Sequence, residues 1–182
     1  MSTHAHSTNR PGFSSPLHKP GAQRNRPTCH PCHRILLVDD DPTVRDSLND
    51  VLVAEGYSVI TAENGQQALD LVNTLPVDLV LLDLNMPVKN GRDTFERLTA
   101  DHPLIPIIIV TARPNQIFTA LSAGVGALLE KPMDIRPLLR TMEKLLQETT
   151  DQRLARLAGK NSKFHYLPAT TKQEPRVPSR NH

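Results

Sequence analysis

No stretch of these 182 residues is apolar for long enough to cross a membrane, and none near Met1 is long enough for a secretory leader. Both absences lead to the expectation of a cytoplasmic protein with no membrane partner. Acidic residues are missing from Met1 to Arg34, where five Lys/Arg stand. Large apolar residues are nearly missing there too: apart from Met1, the first 33 residues offer only Phe13 and Leu17 among five Pro and five His. Such a segment cannot bury a core, so 1–33 is expected to be a disordered, basic arm rich in His and Pro. Cysteine occurs only at Cys29 and Cys32, both within "CHPCH". The string matches the C-x-x-C-H haem-attachment pattern. It is a short match in a polar arm without an export signal, whereas covalent haem attachment belongs to exported proteins. The arm is therefore assigned no haem, and metal binding by Cys29, Cys32 and the nearby His is at most adventitious. Aromatic residues are only 3% of the chain. None interleave with the basic residues in the pattern that stacks on nucleic acid.

What is present is unevenly distributed. From Asp151 to His182 there are seven Lys/Arg against two acids, which leaves nine basic and 17 acidic residues between Ile35 and Thr150. The net charge of +2 therefore hides an acidic body between two basic arms. Such arms are ordinarily solvated tails.

The body repeats one theme. Apolar, β-branched runs stand at Ile35–Val38, Tyr57–Thr61, Val77–Leu82, Ile105–Val110 and Ala127–Leu129. Between and after them lie stripes at helical spacing: Val44, Leu48, Val51 and Leu52; Ala68, Leu69, Val72 and Leu75; Phe95 and Leu98; Ile117, Phe118 and Leu121. The clearest is Ile135, Leu138, Leu139, Met142, Leu145 and Leu146. "LVLLD" up to its closing Asp83, and "IIIV" throughout, are apolar without alternation, so these strands are expected to be covered on both faces, as in a parallel sheet between helices. Five βα units predict a single doubly wound α/β domain over 34–147. Ligands in such folds bind beyond the carboxyl ends of the strands.

Those ends carry a consistent set of groups. The first strand runs into Asp39, Asp40 and Asp41, the third ends in Asp83, the fourth in Thr111, and the fifth in Lys131 and Pro132. Asp39, Asp40 and Asp83 brought together would repel unless a cation neutralised them. Mg²⁺, a hard ion that takes a few carboxylates and keeps room for water and a phosphate oxygen, suits such a set. Lys131 adds a mobile positive charge and Thr111 a hydroxyl, so the edge reads as a receptor for a phosphoryl group. Taken singly, each residue has a duller explanation as a cap, a strand end or a solvated turn. Four strands presenting complementary chemistry at one edge outweigh it. Asp41 is expected to face away as the N-cap of the first helix, with Pro42 at its first position.

"LLVDDDP", "DLVLLDLNMPVKNG", "VTA" and "EKP", in this order, resemble the receiver domain of two-component response regulators over about Arg34 to Gln147. The resemblance implies a flavodoxin-like five-stranded sheet of order 2-1-3-4-5. Asp83 would be the phosphoacceptor, taking a phosphoryl group from a sensor histidine kinase or a histidine phosphotransfer protein. Asp40 and Asp83 would bind Mg²⁺ directly, with the backbone carbonyl of Asn85, and Asp39 mainly through water. Lys131 would neutralise the phosphoryl group in flight and Thr111 would bond one of its oxygens. That contact shifts an existing inactive–active equilibrium. The bond from Lys131 to Pro132 would be cis. The chain would be no enzyme beyond catalysing its own phosphorylation and dephosphorylation.

The chain departs from the pattern in two places. Leu128 stands where receivers usually carry Tyr or Phe, and the segment after Thr111, around "RPNQIF", is shorter than usual. The usual dimer is therefore not assumed, and either a monomer or a phosphorylation-dependent dimer is expected. Asn85 and Arg113 occupy the positions at which the family tunes phosphoryl lifetime. After Leu146 the sequence reads as a helical extension through Leu154 and Leu157 and then a disordered basic tail, 148–182 in all. It has no room for a DNA-binding domain, so output is expected to pass to a downstream protein target. Two competitors are weaker. A phosphorylation-independent protein-binding module is supported only by Leu128 and the short segment. A phosphatase of the haloacid-dehalogenase type would need an acid where Asn85 stands.

Overall fold

The computed structural model describes residues 33–86, 91–112, 125–158 and 165–170. Six strands form one parallel sheet: β1 (Arg34–Val38), β2 (Ser58–Ala62), β3 (Leu79–Asp83), β4 (Ile107–Thr111), β5 (Ala127–Glu130) and β6 (His165–Leu167), in the order β2-β1-β3-β4-β5-β6. The first five follow the expected doubly wound order. The helices described are α1 (Pro42–Ala54), α2 (Gly65–Thr74), α3 (Gly91–Asp101), α4 (Ile135–Leu146) and α5 (Thr150–Leu157). The helix expected from Ile117, Phe118 and Leu121, the "RPNQIF" segment and Arg113 lie outside the described residues, as does the "CHPC" part of the arm.

Period-two alternation divides every inner strand between two cores. Leu36, Val38, Val80, Leu82, Ile107, Ile109 and Leu128 meet Ala68 and Val72 of α2 and Phe95 and Leu98 of α3. Ile35, Leu37, Leu79, Leu81, Ile108, Val110 and Leu129 meet Leu48 and Leu52 of α1 and Leu138, Met142 and Leu145 of α4. Every residue of β3 and β4 is buried, as their four-residue apolar runs require, and the closing Asp83 and Thr111 are buried with them. Each such side chain is worth roughly 1.5–3 kcal/mol of removal from water, and together they make the rigid floor on which the strand ends stand.

α1 begins as the sequence predicts. The Asp41 side chain accepts hydrogen bonds from the Thr43 and Val44 amides at 2.8 and 3.4 Å, with Pro42 at the first helical position. It ends at Glu55, and Gly56 at φ 92° turns the chain back toward β2. That left-handed conformation suits a residue without a Cβ.

The carboxyl-terminal part differs from expectation. Leu154 and Leu157 do not prolong α4, which closes at Gln147. Thr149 and Gln152 form a reciprocal capping box, so α5 starts as a separate helix. Arg153 ties α5 to the amino ends of the strands, donating to the carbonyls of Leu104 at 2.7 Å and Leu145 at 3.2 Å. Within the stretch expected to carry no element, "HYL" adds a sixth strand beside β5, pairing Ala127 with His165, Leu128 with Tyr166 and Leu129 with Leu167.

Candidate functional site

Parallel register carries the strand ends to one edge. Val38 pairs with Leu82, Asp83 with Val110 and Thr111 with Glu130, so the residues at or just after these positions converge. Asp39, Asp40 and Asp83 each present a carboxylate oxygen within 4.8 Å of the others. Asp39 and Asp83 are 2% and 5% exposed, whereas Asp40 is open to solvent. Lys131 enters from β5, and its Nζ donates to Asp39 Oδ2 at 2.9 Å and to Asp83 Oδ2 at 2.6 Å. One ammonium thus serves two buried acids. The Lys131–Pro132 peptide bond is cis, and the Lys131 amide donates to the Thr111 carbonyl at 2.9 Å.

The remaining contacts fix orientation. The Asn85 amide donates to Asp83 Oδ1 at 2.8 Å, and the Asn85 side chain donates to Thr111 Oγ1 at 2.9 Å. Thr111 is fully buried and joins the site through Asn85. Asp39 Oδ1 accepts from the Asp41 amide at 3.0 Å, and Arg45 of α1 donates to the Asp39 carbonyl at 2.8 Å. Gly91 opens α3 directly over the turn after β3. A Cβ placed there would lie 2.5 Å from Leu84 Cα and 2.6 Å from the Asp83 carbonyl oxygen.

Electrostatics follow from burial. Desolvation raises the pKa of Asp39 above the ordinary carboxylate value; the Lys131 bond and charge and the Asp41 amide only partly oppose it, and the Asp83 charge adds to it. For Lys131, burial alone would lower the pKa, but bonds to Asp39 and Asp83 and their charges outweigh it and hold the ammonium charged. An incoming divalent cation would meet carboxylate oxygens from all three acids, and three carboxylates within 4.8 Å match the donor set of a hard ion.

The edge therefore gathers Asp39, Asp40, Asp83, Asn85, Thr111 and Lys131 in one place. Leu128 is buried among the apolar side chains of the α2–α3 layer. Two participants were not anticipated. Arg45 carries no signal, because a basic residue on a helix is ordinary. Glu130, beside Lys131, accepts hydrogen bonds from the Tyr166 hydroxyl and from the Ala169 amide; nothing in the sequence singles it out, because its partners lie in and just after a strand that the sequence does not announce.

Comparison with known proteins fits this geometry. The family model for the response regulator receiver domain matches residues 35–143. The chain belongs to the response regulator receiver family. Transcriptional regulatory protein CpxR of Escherichia coli is 40% identical over 119 residues, which cover 64% of this chain and 50% of CpxR. A CheY-like receiver domain from Methanospirillum hungatei superposes with TM-score 0.59 at 31% identity, covering 67% of this chain and 96% of that one. Response regulator TrrA of Thermotoga maritima, solved in complex with Mg²⁺–BeF, gives TM-score 0.59 at 33% identity over 62% of this chain and 98% of TrrA.

These relatives correct one expectation, that such a receiver acts through protein contacts alone with no DNA-binding domain. CpxR is a transcriptional regulatory protein, and the chain spans about half the length of the curated relatives it matches. The physical reason is that a receiver's strand-end chemistry is independent of what it controls, so neither Asp83 nor its neighbours report the output. Among the described residues no helix is long and apolar enough to cross a membrane.

Proposed function

We propose that this protein is a phosphoacceptor, taking a phosphoryl group on Asp83 from the phosphohistidine of a sensor histidine kinase or a histidine phosphotransfer protein, with Mg²⁺, in the cytoplasm. The observation that carries the reading is the Lys131 ammonium held between Asp39 and Asp83 beside an acidic cluster, at the sheet edge where doubly wound folds bind ligands. An Asp83 oxygen attacks phosphorus, the phosphorus–nitrogen bond of the donor breaks, and the imidazole leaves with a proton while an acyl phosphate forms. Asp39, Asp40, Asp83 and the Asn85 carbonyl would hold Mg²⁺, which when bound neutralises charge on the transferring group. Lys131 supplies a second positive charge once it turns from the bare carboxylates to the phosphoryl oxygens. The Asn85 bond keeps the Thr111 hydroxyl facing the site, ready to be drawn to a phosphoryl oxygen and to shift the β4 end with it. The chain is then reactant and catalyst of its own modification and turns over no separate substrate.

The experiment is incubation with Mg²⁺ and acetyl phosphate. An acid-labile adduct is expected in the wild type and none in Asp83→Ala. An adduct that persists in the variant would assign the phosphoryl group elsewhere.

A further inference from the structure

The chain after β5 descends through α4, crosses the amino ends of the strands as α5 with Arg153 anchored to the Leu104 and Leu145 carbonyls, and comes back as β6. Because β6 is parallel to β5, it brings its own Tyr166 and the residues that follow it toward the edge where Lys131 stands. They grip both neighbours of that lysine. The Tyr166 hydroxyl donates to Glu130 Oε1, the Ala169 amide donates to Glu130 Oε2 at 3.0 Å, and the Thr170 amide donates to the Pro132 carbonyl at 2.9 Å. On the other side Lys131 is tied to β4 by the hydrogen bond that its backbone amide donates to the Thr111 carbonyl.

We propose that His165–Thr170 is a strap that positions Lys131, with Glu130 and Tyr166 as its positioning residues. Bonds to an ionised carboxylate are stronger and shorter than neutral ones, and Glu130 accepts two from the strap. Only three residues pair with β5, and Tyr166 is 41% exposed. Such a short, partly solvated strand opens at lower cost than the inner sheet. The strap is therefore a part of the domain that can respond to the site without unfolding the core. Resting on the phosphoacceptor reading, coupling in one direction requires coupling in the other: if the strap places Lys131 for a phosphoryl group, occupancy of the site must hold the strap down.

The test uses the full chain, amide hydrogen exchange, and Mg²⁺ with beryllofluoride as the phosphoryl mimic. In Glu130→Ala the Ala169, Thr170 and Lys131 amides are expected to exchange faster, by about fivefold or more, while Leu36 and Leu37 in β1 keep the wild-type rate; beryllofluoride should bind about fivefold more weakly. Tyr166→Phe, which keeps the ring and loses the hydroxyl, should shift the same quantities in the same direction by less, and serves alone if Glu130→Ala does not fold. In the wild type beryllofluoride should slow exchange at Ala169 and Thr170. Faster exchange at Ala169 and Thr170 with Lys131 and beryllofluoride affinity unchanged would overturn the proposal, reducing the strap to a surface attachment. If beryllofluoride fails to bind the wild type while the Lys131 amide still responds to Glu130→Ala, positioning by the strap stands and the phosphoacceptor reading falls.

Discussion

Asp39 is almost fully buried against Lys131, yet burial still raises its pKa above the ordinary value of 3.8. The folded state therefore binds this proton more tightly than the unfolded chain does. Stability from this group is present below the ordinary carboxylate range and is lost as pH rises through the raised folded value. In metal-free protein at neutral pH, Asp39→Asn should consequently be more stable than the wild type by about 1 kcal/mol, read as a higher urea midpoint. A lower midpoint would show that the Lys131 pair outweighs the cost of burial. Adding Mg²⁺ should raise the wild-type midpoint and move that of Asp39→Asn less, because one donor has gone. Gly91 makes a separate residue-level case. Its missing side chain leaves room for the Leu84 backbone, 2.5 Å from where a Cβ would sit. Gly91→Ala should destabilise by about 2 kcal/mol and slow phosphorylation from acetyl phosphate, since the displaced turn carries Asp83. Unchanged kinetics would show that α3 yields without moving the turn.

At the scale of elements, legibility tracked how much of each element's reason is local. The start of α1 was legible: Asp41 caps it and Pro42 starts it, both chosen by backbone geometry. Asp41→Ala should cost about 1 kcal/mol in thermal or urea unfolding, with no loss of phosphorylation beyond that; a larger kinetic loss would place Asp41 within the site. β3 and β4 were legible as doubly covered strands because every residue before the closing Asp83 and Thr111 is apolar. Ile109→Ala, deep in the α2–α3 layer, should cost about 3 kcal/mol. β6 was not legible. Three residues between polar neighbours show no period, and the strand exists because α5 returns the chain to an open β5 edge. The break between α4 and α5 could have been read from Thr149 and Gln152 at capping-box spacing, but the leucines beyond it suggested continuation. At the site, the acids, Thr111 and Lys131 were readable from strand-end positions, and Asn85 only from the resemblance to the receiver family. Glu130 was not, because its partners are fixed only by tertiary structure.

For the whole molecule, a sheet with two apolar cores holds acids on one edge at spacings they would not keep in a flexible chain. Under the proposed function, the acids whose repulsion Lys131 and a bound cation offset form the place where a doubly charged phosphoryl group is accepted. The output lies outside what this edge can specify, as the transcriptional relatives of about twice the matched length illustrate. The proposed chemistry comes down to one atom pair, an Asp83 oxygen and phosphorus. It is tested most directly by phosphorylating the chain with acetyl phosphate and Mg²⁺, reducing the acyl phosphate with borohydride, and locating the product by peptide mass spectrometry. Conversion of Asp83 alone to homoserine is expected. Conversion at Asp39, at Asp40 or at no aspartate would contradict it.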